Sequence, residues 1–248
     1  MRWRRLSVQN HRGTLLPRVL WLPLDALAVG WTVVCVLVLD GGAPAWGALA
    51  GVLLVSVAGL VDDLAPIGPR GLRGHLRSLM DGHMTTGILK VLVTVGAAVV
   101  VVALQPDRRA WVAVSGIVLI AASTNVWNGL DVRPGRALKA FLPVGIVFLL
   151  LAHRPDAPSV VAMLVGAIVL LPIDLRERAM LGDAGSNPLG FAAGLGLYAA
   201  LPDPGVAAAA VCAVGLNVLA DTVSLSRLID GTPPIRWLDR LGRVLPLG

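Results

Sequence analysis

The feature that most constrains this chain is a succession of long apolar runs with almost no charge inside them. Eight segments stand out, at 19–39, 44–61, 87–104, 110–126, 138–152, 159–174, 188–201 and 206–226. A helix needs about 17–25 apolar residues to cross a hydrocarbon layer of about 30 Å. The fifth and seventh segments are short and must borrow flanking residues or sit where the bilayer is thin. Composition agrees: of 248 residues 56% are hydrophobic and 15% charged, with a mean hydropathy of +0.79. The runs lack the polar and apolar alternation of a membrane barrel. The expected fold is therefore all-α, a polytopic membrane helical bundle of about eight transmembrane helices.

Charge sets the orientation. With the N-terminus inside, 18 of the 21 Lys and Arg residues fall on the inner side, leaving only Arg108, Arg109 and Arg154 outside. Inner loops are enriched in basic residues, so both termini are expected in the cytosol. The same rule accounts for the net charge of +6 and the pI of about 10.6 without a nucleic-acid partner. The first apolar run is longer than the h-region of a cleaved signal peptide and is expected to be retained. Cys35 and Cys212 lie far apart within apolar runs and suggest neither a disulfide framework nor a zinc site. Residues 1–230 are expected to form the membrane-embedded domain. Residues 231–248 form a cytosolic basic tail whose Arg236, Arg240 and Arg243 share one helical face, suited to anionic lipid.

This topology also sorts the acids. Three inner loops begin where a span ends and carry carboxylates or amides: GLVDDL (Asp62, Asp63), TNVWNGLD (Asn125, Asn128, Asp131) and MLGDAGS (Asp183). Singly, each is an ordinary solvated turn; three on one side is the informative coincidence. Adjacent Asp62 and Asp63 repel unless a cation or proton intervenes. Mg²⁺ takes one or two carboxylates and completes its shell with phosphate oxygens, while guanidinium groups grip phosphate in bidentate fashion. Arg70, Arg73 and Arg77 are spaced for one face of a short helix. Lys90, one turn into the third span, either snorkels to the interface or contacts phosphate. Gly182 and Gly185 allow a tight backbone approach to a ligand. Ser186 or Asn187 is expected to cap the next helix, with Pro188 in its first turn. The pattern points to metal-assisted chemistry on a phosphate-bearing substrate beside lipid.

At these residues the sequence resembles the polyprenyl-phosphate N-acetylhexosamine-1-phosphate transferases, the family of the phospho-MurNAc-pentapeptide translocase. QNHRGTLLPR (Gln9–Arg18) resembles the family's first cytosolic loop, GLVDDL its paired aspartates, NVWNGLD its N-x-x-N-x-x-D motif and MLGDAGSNPLGF its M-G-D-x-G-S motif. ADTVSLSR, with Asp221, Thr222 and Arg227, is a weaker match. The departures are Val132 after Asp131, the absence of a histidine-rich loop after the last core helix, and about two fewer helices. The chain thus looks like a reduced or divergent member.

The resemblance implies Mg²⁺-dependent transfer of a sugar-1-phosphate from a UDP-sugar to undecaprenyl phosphate at the cytosolic face of the cell membrane, in cell-envelope glycan synthesis. It implies that Asp183 holds the metal with help from Asp62 or Asp63, and that one of the paired aspartates positions the lipid phosphate. Asn125, Asn128 and Asp131 would orient nucleotide or sugar. Lys90, Arg70, Arg73, Arg133 and Arg136 would bind phosphates, and Gly185 and Ser186 would shape the substrate loop. A homodimer is compatible with this reading. The alternative is a non-catalytic relative that binds polyprenyl phosphate or an envelope-assembly partner.

Overall fold

The computed structural model describes residues 6–10, 12–39, 42–68, 72–105, 108–152, 157–223 and 225–244. The chain is a helical bundle. Its long helices are α1 (Trp21–Leu39), α2 (Ala43–Leu64), α4 (Thr86–Leu104), α5 (Ala110–Leu130), α6 (Arg136–Leu151), α7 (Pro158–Leu175), α8 (Asp183–Ala200) and α9 (Asp203–Thr222). They fall on the eight apolar segments. Three shorter helices, α3 (Leu72–Met80), α10 (Leu225–Gly231) and α11 (Pro233–Arg240), lie between or after them. Among the described residues six helices, α1, α2, α4, α5, α7 and α9, are long and apolar enough to cross a membrane. Large aliphatic side chains such as Leu37, Leu54, Leu92, Leu150, Ile168 and Val211 point outward from these helices and α6. That is the surface a lipid-facing bundle needs, because packing between membrane helices does not depend on hiding apolar area from water.

α8 falls outside the six for a structural reason. It is the central helix, packed against α2, α5 and α6, and every residue from Ala184 to Gly196 is buried. Small residues make this possible. A Cβ on Gly59 of α2 would come within 2.3 Å of the Asp183 carbonyl oxygen, and one on Gly194 within 2.5 Å of Ile120 Cα on α5. Glycine therefore sets the distances at which α2 and α5 cross α8, and a glycine-rich helix scores low in hydropathy while lying deepest in the bundle.

α8 also begins five residues earlier than expected. Gly182 serves as N-cap at φ +67°, a conformation open to glycine, and Pro188 sits inside the helix instead of in its first turn. Proline leaves the carbonyl four residues earlier without its helical donor. That carbonyl belongs to Ala184, and Ser56 Oγ of α2 lies 2.9 Å from it. A neighbouring helix thus brings a hydroxyl, shared with the Asp25 carboxyl group at 2.6 Å, to the carbonyl that the proline frees.

The polar N-terminal loop forms a hairpin that was not anticipated, β1 (Ser7–Gln9) against antiparallel β2 (Leu15–Pro17). Met180 N–H donates to the Pro17 carbonyl at 2.9 Å, and Asn10 Nδ2 donates to Glu177 Oε2 at 2.6 Å. The hairpin is thereby bonded to the segment that leads into α8, and Arg18 is delivered to the same end of the bundle.

Candidate functional site

The acidic loops meet where α2 ends and where α4 and α8 begin. Asp62 and Asp63 occupy the last turn of α2, Lys90 the first turns of α4, and Asp183 the first residue of α8. Lys90 Nζ lies 2.7 Å from Asp183 Oδ2 and 3.3 Å from Asp62 Oδ2. The hydroxyl of Thr86 donates to the other oxygen of Asp62. Asn128, near the end of α5, completes the group. In the amide orientation that satisfies both of its ends, Nδ2 donates to Asp183 Oδ1 at 2.9 Å and the amide oxygen accepts from Lys90 Nζ at 3.0 Å. Ser186 Oγ, fully buried, lies 3.3 Å from the same amide. Four helices therefore contribute one polar side chain each, or more, to a single knot.

Asp63 points elsewhere. Its carboxylate accepts from the Arg18 guanidinium and, at 3.1 Å, from the Ala184 amide N–H, while Arg18 also donates to the Asp63 carbonyl at 2.8 Å. The side chain is buried, and a Cβ on Gly182 would come within 2.6 Å of its oxygen. Asp63 is thus a brace between the N-terminal loop, α2 and the start of α8. Of the paired aspartates only Asp62 faces the Lys90 ammonium together with Asp183.

Asp131 caps α5 and faces a small cleft lined also by Asn10, Arg133, Asp174 and Met180. Burial, together with the nearby carboxylates of Asp174, Asp183 and Asp63, pushes the Asp131 carboxyl well above its usual pKa. Asn125 turns away from the knot and donates to Asn217 on α9. Gly185 packs against Leu181 and Trp21. Arg70 lies outside the described residues, and so does the side chain of Arg73 on α3.

Arg136 is committed to a different partner. Its guanidinium pairs with Asp239 of α11 through bonds of 2.8 and 3.0 Å and donates to Ser226 Oγ at 2.9 Å. Lys139 Nζ donates to the carbonyls of Leu238, Asp239 and Leu241, and Arg243 closes the group by donating to the Pro134 carbonyl and to Asp239. Burial alone would raise the Asp239 carboxyl. Arg136, Arg243 and Lys139 outweigh it and hold the group below its usual pKa. The tail is therefore docked on α6 through one buried acid, while Trp237 and Leu238 remain exposed.

No family model, curated protein or solved structure matches this chain. The reading of the site rests on its own geometry.

The donor set suits a hard divalent cation held jointly with a ligand. Among the described residues no three His, Cys, Asp or Glu side chains converge as a ready-made cage. Two carboxylates do converge, and both face one ammonium group. Mg²⁺ needs only one or two carboxylates when phosphate oxygens supply the rest, so Asp62 and Asp183 fit it. Sequence reasoning missed Thr86 and the bracing role of Arg18. The run His83–Met84–Thr85–Thr86 before an apolar segment signals a helix start, and Thr85 does cap α4 through Ile88 N–H. Nothing in it discloses that the next threonine reaches a carboxylate 24 residues earlier.

Proposed function

We propose that this protein is a membrane-embedded phosphoglycosyl transferase that moves a sugar-1-phosphate from a UDP-N-acetylhexosamine-type donor to undecaprenyl phosphate. It crosses the cell membrane eight times, with both termini and the reacting groups on the cytosolic side. The observation that carries the reading is the Asp62–Lys90–Asp183 knot, in which two carboxylates and an ammonium from three helices meet at one end of the bundle beside Asn128. Ionisable residues at membrane depth are expensive and mark working sites.

In this reaction an oxygen of the lipid phosphate attacks the sugar-bearing phosphorus of the donor. The bond to the other phosphate breaks, and UMP leaves with the bonding electron pair. Lys90 would bind the pyrophosphate, its ammonium placed where negative charge accumulates. Asp62, held by Thr86, would position the incoming lipid phosphate. Asn128 would orient the donor from the opposite side of Asp183. Asp183 and Asp62 would hold Mg²⁺, which when bound neutralises charge on the phosphates. Arg133, at the cleft with Asp131, would take the distal part of the donor.

The test combines purified protein, undecaprenyl phosphate, Mg²⁺ and either UDP-GlcNAc or UDP-MurNAc-pentapeptide, with UMP release as the readout. Release that is lost in Asp183→Asn supports the reading, and full release in that variant overturns the metal assignment. A second reading is a non-catalytic binder of polyprenyl phosphate. It is favoured by the Lys90 ammonium, which already balances both carboxylates as a cation would. Saturable lipid-phosphate binding with no turnover of either donor would select it.

A further inference from the structure

Asp25 sits one turn into α1, outside the charged knot. Its Oδ2 lies 2.6 Å from Ser56 Oγ of α2, and the same hydroxyl lies 2.9 Å from the Ala184 carbonyl of α8. Its other oxygen, Oδ1, is buried and has no hydrogen-bond partner. Three helices therefore meet at one buried serine hydroxyl.

The number of protons at this hydroxyl is informative. Serine carries one proton and two lone pairs. A carbonyl oxygen only accepts, and so does an ionised carboxylate. With Asp25 ionised, two acceptors stand at hydrogen-bond distance from one proton, and one of them goes without. With Asp25 protonated, its O–H donates to Ser56 Oγ, and the serine proton is free for Ala184. Both contacts are then hydrogen bonds.

Charge leads to the same state. α1 packs on α7, α2 and α8. None of these four helices contains a Lys, Arg or His, and their charged residues besides Asp25 are the acids Asp62, Asp63, Asp174 and Asp183. Arg18, the nearest basic residue along the chain, is committed to Asp63. Among the described residues no ammonium, guanidinium or imidazole group forms an ion pair with Asp25. A buried charge without a counter-charge is costly, and a carboxyl group in that position takes up a proton instead.

The neutral acid has a consequence for α8. A serine inside a helix ordinarily turns its hydroxyl back to the carbonyl four residues earlier. A donor from Asp25 occupies one lone pair of Ser56 and directs the serine proton toward α8. There it meets the carbonyl that Pro188 frees. The Ala184 N–H is bonded from α2 as well, to Asp63 at 3.1 Å. Ala184 is thus held on both sides by one helix, and Asp183 is its immediate neighbour.

We infer that Asp25 is a neutral carboxylic acid that donates to Ser56, and that this relay to the Ala184 carbonyl positions the start of α8 and with it Asp183. Asp25 touches no reacting group and acts through Ser56, so it is a positioning residue. Its effect on turnover rests on the transferase reading above; its protonation and its hold on α8 do not.

The experiment compares wild type, Asp25→Asn, Asp25→Ala and Ser56→Ala as detergent-solubilised full chains. The infrared difference between wild type and Asp25→Asn is expected to show the C=O stretch of one protonated carboxyl group, above the amide I band, and Ser56→Ala to shift that band. Loss of a carboxylate band in its place would overturn the inference. Asparagine keeps a donor where the acid carries its O–H. Asp25→Asn is therefore expected to keep UMP release within about threefold of wild type, while Asp25→Ala and Ser56→Ala lose on the order of 10- to 100-fold through displacement of Asp183. Amide hydrogen exchange over Asp183–Gly190 is expected to rise in both alanine variants and to stay at the wild-type level in Asp25→Asn. An asparagine variant that behaves like the alanine variants, or gives no cooperative thermal transition, counts against the inference, because a neutral donor is then not what the position requires. Alanine variants with wild-type exchange and release count against it equally. Should neither alanine variant fold, the infrared difference and the asparagine variant decide. A wild type that releases no UMP removes the transferase reading, and the infrared band and hydrogen exchange still test Asp25.

Discussion

Asp62 and Asp63 are neighbours in the chain with different tasks. One faces the Lys90 ammonium at the shared knot, and the other is buried against Arg18. Removing the partner of a buried charge is strongly destabilising because the remaining charge is left uncompensated. Arg18→Ala is therefore expected to lower the unfolding free energy by about 3 to 5 kcal/mol, visible as a marked fall in melting temperature in detergent. Asp62→Asn, whose side chain is partly exposed, should lower it far less. At Asp183, replacement by Asn removes the carboxylate charge and is expected to reduce UMP release on the order of 10²- to 10³-fold with the fold retained. Single-turnover measurement on the purified variant checks it. At this scale the acids stood out in the sequence, because each stands at the end of an apolar run where a charge is conspicuous. It could not disclose how they divide the work. The Arg18 guanidinium is 45 residues from Asp63, and the Thr86 hydroxyl 24 from Asp62.

At the scale of elements, the eight long helices were legible because each coincides with a long apolar run in the sequence. α8 was the least legible. Its start depends on a positive φ at Gly182 and on a serine of α2 that stands near the carbonyl exposed by Pro188. Both are tertiary facts. The hairpin of the first loop escaped for the same reason: its strands are three residues each, and its bonds to the α7–α8 connection help hold it. Gly59→Val is expected to push α2 away from the start of α8 and to abolish UMP release while leaving membrane insertion intact, since the added carbons collide with the Asp183 backbone. Activity and detergent-extracted yield, measured together, separate the two effects.

The docking of α11 carries its own pH dependence. The Asp239 carboxyl is held below its usual pKa by Arg136, Arg243 and Lys139. The folded protein thus keeps it ionised where the unfolded chain would protonate it. The resulting stability is present above the ordinary carboxylate pKa of about 3.9 and is lost as pH falls through the lower folded value. Asp239→Asn is expected to reproduce the acid state at neutral pH. The sign is an increase in amide hydrogen exchange over Pro233–Arg240, with little change in α8.

At the scale of the whole molecule, the charge asymmetry between the two sides makes a topological statement that can be measured. In a background lacking Cys35 and Cys212, Asp81→Cys before α4 is expected to react with an impermeant thiol reagent only from the cytosolic side, and Asp203→Cys at the first residue of α9 only from the outside. Labelling of both from one side would reject the arrangement of eight crossings. Hydropathy alone could not separate eight from six, because α6 is short and α8 is rich in glycine and alanine. Both are held in place by neighbours.

The clamp between α6 and α11 sets an order on biosynthesis. Arg136 emerges 103 residues before Asp239, and at roughly 5–20 residues per second the nascent chain must wait about 5–20 s for that carboxylate. During the interval the N-terminal end of α6 carries a guanidinium and an ammonium without their final acceptors, and Asp174 is the acid near the ammonium. A ribosome that stalls before α11 therefore releases a chain whose hydrophobic helices can all be inserted but whose last electrostatic latch is open, a state that a membrane protease could distinguish from the finished protein.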